Sequence, residues 1–283
     1  MSDIDKINDK ITENLNEFKR NPYKFAAEML APHEDDPNEL YYWFPETRKT
    51  GFRVPQTVCI PLDVELWYDA WAASLDGKIA DPVWSAVTKK VYEELPESWR
   101  NKELFFRTGG SSGKFSFRNS CRVSDMTSLS MAIASTFYEN ECCGKPVSRW
   151  LVFREFICTA NDRPTIYNGL KLNTEARIFW DADEKKVIGA FDYWYQEKDE
   201  IVKVLKYHPE ELDAYLKTEP IVRKEFEALS PELIADCTKK LPAMDLKGQW
   251  SVDFMWTGSE WVLIDMAVAR QSAFFKYLTC TDF

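Results

Sequence analysis

Apolar positions recur along the chain at two spacings, and each predicts its own kind of element. Leu62, Leu66, Trp67, Ala70 and Trp71 fall on one face of a helix. Val83, Val87, Val91 and Leu95 repeat that pattern behind Asp81-Pro82, a capping carboxylate followed by proline at the first helical position. Leu129, Ile133 and Phe137 predict a further helix, capped by Ser124. Helices are expected to open at Pro209 and again at Pro231, and residues 2–30 read as a charged helical lead-in broken at Asn21-Pro22. Residues 31–50, with three prolines and the acidic cluster Glu34 to Asp36, read as a loop.

The second spacing is that of strands. Short apolar runs predict them at Thr57–Ile60, Glu103–Thr108, 150–158, 175–181 and 186–195. A closing hairpin, Trp250–Trp256 with Glu260–Met266, turns on Thr257-Gly258-Ser259. Strands and helices are interleaved without repeats, which predicts an α+β fold.

Composition narrows the chemistry. With 283 residues, 45% of them hydrophobic, and 11 Trp, 12 Tyr and 18 Phe, the chain can bury a sizeable core and is not disordered. No run approaches the roughly 20 apolar residues that span a bilayer. Met1 to Lys10 is too polar for a signal peptide, so a cytoplasmic location is expected. Seven irregularly spaced Cys and only two His, His33 and His208, argue against a Cys/His metal centre and against a His-based catalytic triad. The net charge of −10 disfavours general coating of nucleic acid and leaves room for a local basic cleft. Catalysis, if any, falls to carboxylates, Lys, Arg and a bound cation.

Four constellations carry that chemistry. The sharpest is the hairpin, where Asp253 interrupts one apolar strand and Asp265 ends the next. A three-residue turn pairs Trp256 with Glu260, hence Asp253 with Leu263 and Ser251 with Asp265. Both carboxylates then share one face as diagonal neighbours, about 7–8 Å apart at Cα. Each Asp alone could satisfy a backbone group or an arginine; two on one face favour a shared Mg²⁺ or Mn²⁺. Next, Arg107 ends a strand that runs into Gly109-Gly110-Ser111-Ser112-Gly113-Lys114, a glycine-rich stretch able to approach phosphate or simply to turn. Arg154-Glu155 places adjacent charges in an otherwise buried strand, on opposite faces. Finally, Glu175, Arg177 and Asp181 line one face of a strand whose other face is apolar, fit for a cleft floor or a solvated sheet.

The order of these motifs resembles the ATP-grasp superfamily. The segments Phe106-Arg107-Thr108 with Ser112-Gly113-Lys114, then Val152 to Phe156, then Glu175 to Phe179, are similar to a clade common in bacteriophages and proposed to include RNA-repair ligases. A more distant resemblance is to eukaryotic cell-division-cycle proteins that assemble a translation initiation factor. The resemblance spans roughly residues 100–275, and the twelve-residue gap from Asp253 to Asp265 matches the family's acidic pair. It implies an ATP-grasp-like α+β fold, with mixed or antiparallel sheets and flanking helices enclosing a nucleotide cleft. Residues 1–100 would form a helical or α+β region without an assigned role, and 101–283 the nucleotide-binding and catalytic region. By position, Arg107 would replace the usual phosphate-binding lysine and Lys114 would sit in a mobile phosphate loop. Arg154, Glu155 and Phe156 would lie at the adenine hinge, Arg177 at the γ-phosphate, and Asp253 and Asp265 on magnesium.

One position departs from the family: Ala267 stands where an Asn ligand is usual, and Val268 where phage relatives often carry an acid. The implied function is an ATP- and Mg²⁺-dependent ligase acting on RNA ends, a protein or a small molecule. The alternative is a nucleotide-binding assembly factor or inhibitor that joins nothing.

Overall fold

The computed structural model describes residues 10, 12–13, 16–78, 81–145, 148–159, 162–196 and 198–278. The start of the expected lead-in helix and Cys280 lie outside them. The chain adopts the expected α+β class: two four-stranded antiparallel sheets flanked by helices, facing each other across a cleft. Among the described residues no helix is long and apolar enough to cross a membrane.

The first sheet comprises β1 (Thr57–Pro61), β2 (Leu104–Thr108), β3 (Arg122–Val123) and β4 (Trp150–Glu155), in the order β1-β4-β2-β3. A small hairpin follows, β5 (Thr165–Ile166) with β6 (Leu170–Lys171). The second sheet comprises β7 (Glu175–Asp181), β8 (Lys186–Asp192), β9 (Gln249–Trp256) and β10 (Trp261–Val268), ordered β10-β9-β7-β8. Alternation along the strands explains why they sit between two environments. Leu104, Phe106, Leu151 and Phe153 point into a core filled by Trp67, Val87, Leu95 and Ile133 from the helices. Phe105, Arg107 and Arg154 point the other way, toward the cleft. In the second sheet, Ala176, Ile178, Val252 and Phe254 enter a separate core with Leu233 and Cys237, while Glu175, Asp253 and Met255 face the cleft. Burying each such large apolar side chain contributes roughly 1.5–3 kcal/mol, so both sheets are firmly backed.

Residues 40–47 form a helix rather than loop, because Leu40, Trp43 and Phe44 bury against the second core and outweigh Pro45 in its last turn. Pro209 and Pro231 do not open separate helices. One helix runs from Pro209 to Lys240 with Pro220 and Pro231 inside it. Each interior proline costs about 3 kcal/mol or more. Burial of Tyr215 and Val222 in a third core, and of Leu233 and Cys237 in the second, offsets that loss. The helix expected from Ser124 begins at Leu129; the intervening residues form a turn in which Asp125 accepts the Thr127 N–H at 2.8 Å.

Candidate functional site

The two sheets enclose a cleft of about 490 Å³. Arg107, Lys114, Arg154, Asp253 and Asp265 line it, as do Glu155 and Phe156. Strand register divides it into two ends. Arg107 lies level with Val152, and Arg177 with Asp253; one step outward stand Phe105 and Met255. Farther out the walls are aromatic and aliphatic: Phe105 and Phe117 have ring centroids 6.2 Å apart, Phe117 and Phe156 6.3 Å apart, with Ile157 and Leu170 beside them.

The hairpin brings the two aspartates together by a route other than the expected one. Trp256 pairs with Trp261, not Glu260, so residues 257–260 form the loop, with Gly258 at a φ of +104°. That register alone would set Ile264 opposite Asp253 and turn Asp265 to the other face. A bulge between Leu263 and Asp265 restores the parity, and Asp253 and Asp265 stand directly opposite each other rather than diagonally. Their shared face is therefore real, and the turn length and the diagonal pairing were not.

Each aspartate is met by an arginine. Arg177 Nε and Nη2 donate to the two oxygens of Asp253 at 2.8 and 2.7 Å. Arg107, 5% exposed, donates through Nη1 to Asp265 Oδ1 at 2.7 Å. Oδ1 also accepts the Met266 N–H at 3.0 Å, while among the described residues no donor reaches Oδ2. Burial opposes ionisation of Asp265, but Arg107, Arg154 and Lys114 together hold it below the usual carboxylate range. Burial likewise opposes the charge on Arg177, and Asp253 outweighs it, so the guanidinium stays charged. Arg177 does not line the cleft. Its guanidinium packs against both the Tyr193 and Phe274 rings, 4.9 and 5.2 Å from their centroids, and donates to the Ala273 carbonyl at 3.2 Å.

Arg154 reaches across from the first sheet to donate to the Ile264 carbonyl, and its Nε donates to Thr57 Oγ1 at 3.2 Å. Its Nη2 is buried without a partner among the described residues. Burial pulls its titration down to about 10, a sign of how dry the position is. Lys114 Nζ donates to the Tyr193 hydroxyl at 3.0 Å. Burial works against its charge, but Tyr193, Glu175 and Asp253 overcome that and raise its pKa.

The stretch 109–114 is pinned rather than loose. Ser111 donates to Asn140 Oδ1 at 2.6 Å, Asn140 Nδ2 donates to Thr108 Oγ1 at 3.2 Å, and the Phe115 N–H donates to Glu139 at 3.2 Å. Gly109 is required for a reason unrelated to phosphate: a Cβ there would lie 1.8 Å from Glu39 Oε2. At the end of β4, Glu155 pairs its carboxylate with Arg53 at 2.8 Å, and its own N–H is bonded to the Gln56 carbonyl at 2.8 Å. Phe156, next along the chain, lines the cleft with its ring near that of Phe117. Asp181, placed by the strand pattern on the Arg177 face, serves the turn after β7, accepting the N–H groups of Asp183 and Glu184 at 3.1 and 2.9 Å.

Two carboxyls at or near the site went unassigned in the sequence. Glu175 lines the cleft, and burial raises it to about 7, against the pull of Lys114. Glu39, 2% exposed, is also raised to about 7 by burial, while its bond from Ser148 and the Arg107 charge pull the other way. The alternation of β7 placed Glu175 on the correct face. Nothing local marked Glu39, which reaches the site only through tertiary packing.

No protein-family model matches the chain, and no curated protein does. Among solved structures it is similar to Cdc123 from Schizosaccharomyces pombe, with a TM-score of 0.52 and 15% identity over 86% of this chain and 90% of that one. That likeness establishes a shared fold. Weaker likenesses are to a RimK-domain ATP-grasp protein from Sphaerobacter thermophilus, with a TM-score of 0.35 and 12% identity over 82% of this chain and 58% of that one. The ATP-grasp ligase PsnB, complexed with a minimal precursor, matches with a TM-score of 0.34 and 9% identity over 93% of this chain and 66% of that one.

Proposed function

We propose that the cleft binds Mg²⁺-ATP and that the protein is an ATP-dependent ligase of the ATP-grasp type, activating a carboxylate or phosphate for joining. One observation carries this reading: a single cleft is aromatic and aliphatic at one end and lined at the other by Arg107, Lys114, Asp253 and Asp265. A flat base suits the first end, and a triphosphate with its cation suits the second.

The donor set fits one hard cation whose other ligands are phosphate oxygens and water. Asp265 offers its Oδ2 as the structure stands; Asp253 contributes only by sharing an oxygen with Arg177. When bound, the cation would neutralise charge that develops on the transferring group. Arg107 and Lys114 would bind phosphate, and Phe156 would stack on the base. Arg154 would offer its partnerless Nη2 to the nucleotide. Arg177, packed against two rings, would act mainly by fixing Asp253. RNA ends are one acceptor that the phage-clade resemblance suggests; a protein or small molecule is another.

A second reading, an ATP-binding assembly factor without transfer chemistry, draws on two observations. Ala267 supplies no ligand opposite Ser251, and the shared fold is with Cdc123. Incubation with ATP and Mg²⁺ separates the two: ADP marks acyl-phosphate chemistry, AMP marks nucleotidyl transfer, and intact ATP with measurable affinity marks the binding role. In calorimetry, Asp265→Asn is expected to weaken Mg²⁺-ATP binding about tenfold or more. Lys114→Ala should weaken it too, while Lys185→Ala, in the turn between β7 and β8, should not. Unchanged affinity in both Asp265→Asn and Lys114→Ala would refute the cleft as the nucleotide site.

A further inference from the structure

We propose that Glu175 accepts the proton of the attacking nucleophile in the transfer reaction, which assigns the acceptor to the nucleophiles that must lose one, a hydroxyl or an amine. This deepens the nucleotide reading of the cleft and rests on it. Glu175 begins β7 beside Met255, one step outward from the Arg177–Asp253 pair on the same face, and it lines the cleft.

Its surroundings separate it from the structural carboxylates of this chain. Asp181 accepts N–H groups in its turn, Asp192 accepts the N–H groups of Trp194 and Tyr195, and Glu211 accepts those of Tyr167 and Asn168. Asp253 is gripped by Arg177. Glu175 is only 6% exposed, yet among the described residues no donor bonds its carboxylate. Unlike Asp192 Oδ2 and Glu219 Oε1, which are sealed without a hydrogen-bond partner among the described residues, its oxygens keep access to the cleft, where they can meet a ligand.

The charges that face it come from several elements. Lys114 from the segment after the glycines and Arg177 on its own strand favour the ionised form. Burial, Asp253 on β9 and Asp192 on β8 oppose it. Lys114 Nζ donates to the Tyr193 hydroxyl and acts on Glu175 through its charge.

With water as the nucleophile, the step balances as follows. The water oxygen bonds to the terminal phosphorus as its proton passes to a Glu175 oxygen. The bond from phosphorus to the bridging oxygen breaks, and ADP leaves with the electron pair. Glu175 then returns the proton to solvent. In joining, the hydroxyl oxygen or amine nitrogen bonds to the carbonyl carbon of the activated carboxylate as its proton passes to Glu175. The bond from that carbon to the phosphate oxygen breaks, and phosphate leaves with the electron pair; the carboxylate activated beforehand has no proton to give.

The test measures phosphate released from Mg²⁺-ATP by the full chain, with water as the acceptor. Glu175→Gln is expected to lower the rate about 10²-fold or more, with Mg²⁺-ATP affinity in calorimetry unchanged. Glu175→Ala should lose the same activity and regain part of it on addition of formate, a small carboxylate that fits the vacated space; a merely structural role gives no such rescue. Glu175→Gln hydrolysing at the wild-type rate overturns the proposal. So does loss of nucleotide affinity in both variants without formate rescue, which would make Glu175 a ribose or Lys114 partner. A wild-type chain that binds Mg²⁺-ATP but releases no phosphate overturns it while leaving the binding reading intact; failure to bind Mg²⁺-ATP at all defeats both.

Discussion

Asp253 and Asp265 stand opposite each other on one hairpin, yet the molecule restrains them in different ways. Asp253, with 8% of its side chain exposed, is held through both oxygens by Arg177 from the adjacent strand of its own sheet. Asp265, with 29% of its side chain exposed, is held through one oxygen by Arg107, which comes from the other sheet. The first pair belongs to the scaffold; the second bridges the cleft. A ligand that enters between the sheets must contend with the Arg107–Asp265 contact and can leave the Arg177–Asp253 contact alone. The bulge before Asp265 makes this arrangement possible, since it returns that carboxylate to the face that Asp253 shares.

The largest expected effect tests that division. Arg177→Ala leaves Asp253 buried and unpaired and should cost roughly 3–5 kcal/mol in urea denaturation. Arg107→Ala should cost less, roughly 1–2 kcal/mol, because Asp265 keeps Arg154 and Lys114 nearby and some access to water. Equal losses would show that both pairs are scaffold. The reverse order would place the structural pair across the cleft instead.

A second contrast sets carboxylates that have a cation partner against those that lack one. Asp265 is held below its ordinary range, so it contributes stability that is present above about 3.8 and is lost as pH falls through its folded value. Glu39 is raised from 4.5 to about 7, so it contributes in the opposite sense: its protonated form is favoured on folding, and stability declines as pH rises from 4.5 toward 7. A displacement of that size corresponds to roughly 3 kcal/mol at full ionisation. Glu39→Gln keeps an oxygen for the Ser148 hydroxyl and removes the ionisable group. It should stabilise the chain by up to that amount at pH 8 and by little near pH 5, measured by urea denaturation at both. A gain of equal size at both pH values would mean that Glu39 is not neutral in the fold near pH 5.

How far the sequence could be read follows the same line between local and distant causes. The α+β class, the cores of the main strands, the joining of β9 to β10 and the polar face of β7 are written in periods of two along short segments, although the expected strand at 150–158 stops at Glu155 and that at 186–195 gives way to helix after Asp192. The fate of that polar face was not. Asp181 and Arg177 share it, but one serves a turn and the other an aspartate on β9. The hairpin register was missed because it depends on a one-residue bulge at Ile264, where Leu263 donates its N–H to the Arg53 carbonyl, more than two hundred residues back. Gly109 is explained by Glu39, and the interior prolines at 220 and 231 are tolerated because two cores clasp the helix from outside. Each of these causes lies far along the chain from its effect.

The smallest expected effect provides the internal control for the two ion pairs. Asp181 lies on the same strand as Arg177, but among the described residues it has no arginine partner and accepts from Gln249 Nε2 at 2.9 Å and from two turn N–H groups. The Gln249 bond first, then those N–H groups, hold it below the ordinary carboxylate range. Asp181→Ala should therefore loosen the turn by about 1 kcal/mol and leave Mg²⁺-ATP affinity in calorimetry where it was. A drop in nucleotide affinity would extend the functional face along the whole length of β7, past the aromatic cover of Phe274, and would show that the strand works as one unit. An unchanged affinity confines function to the Glu175 end, where the cleft opens.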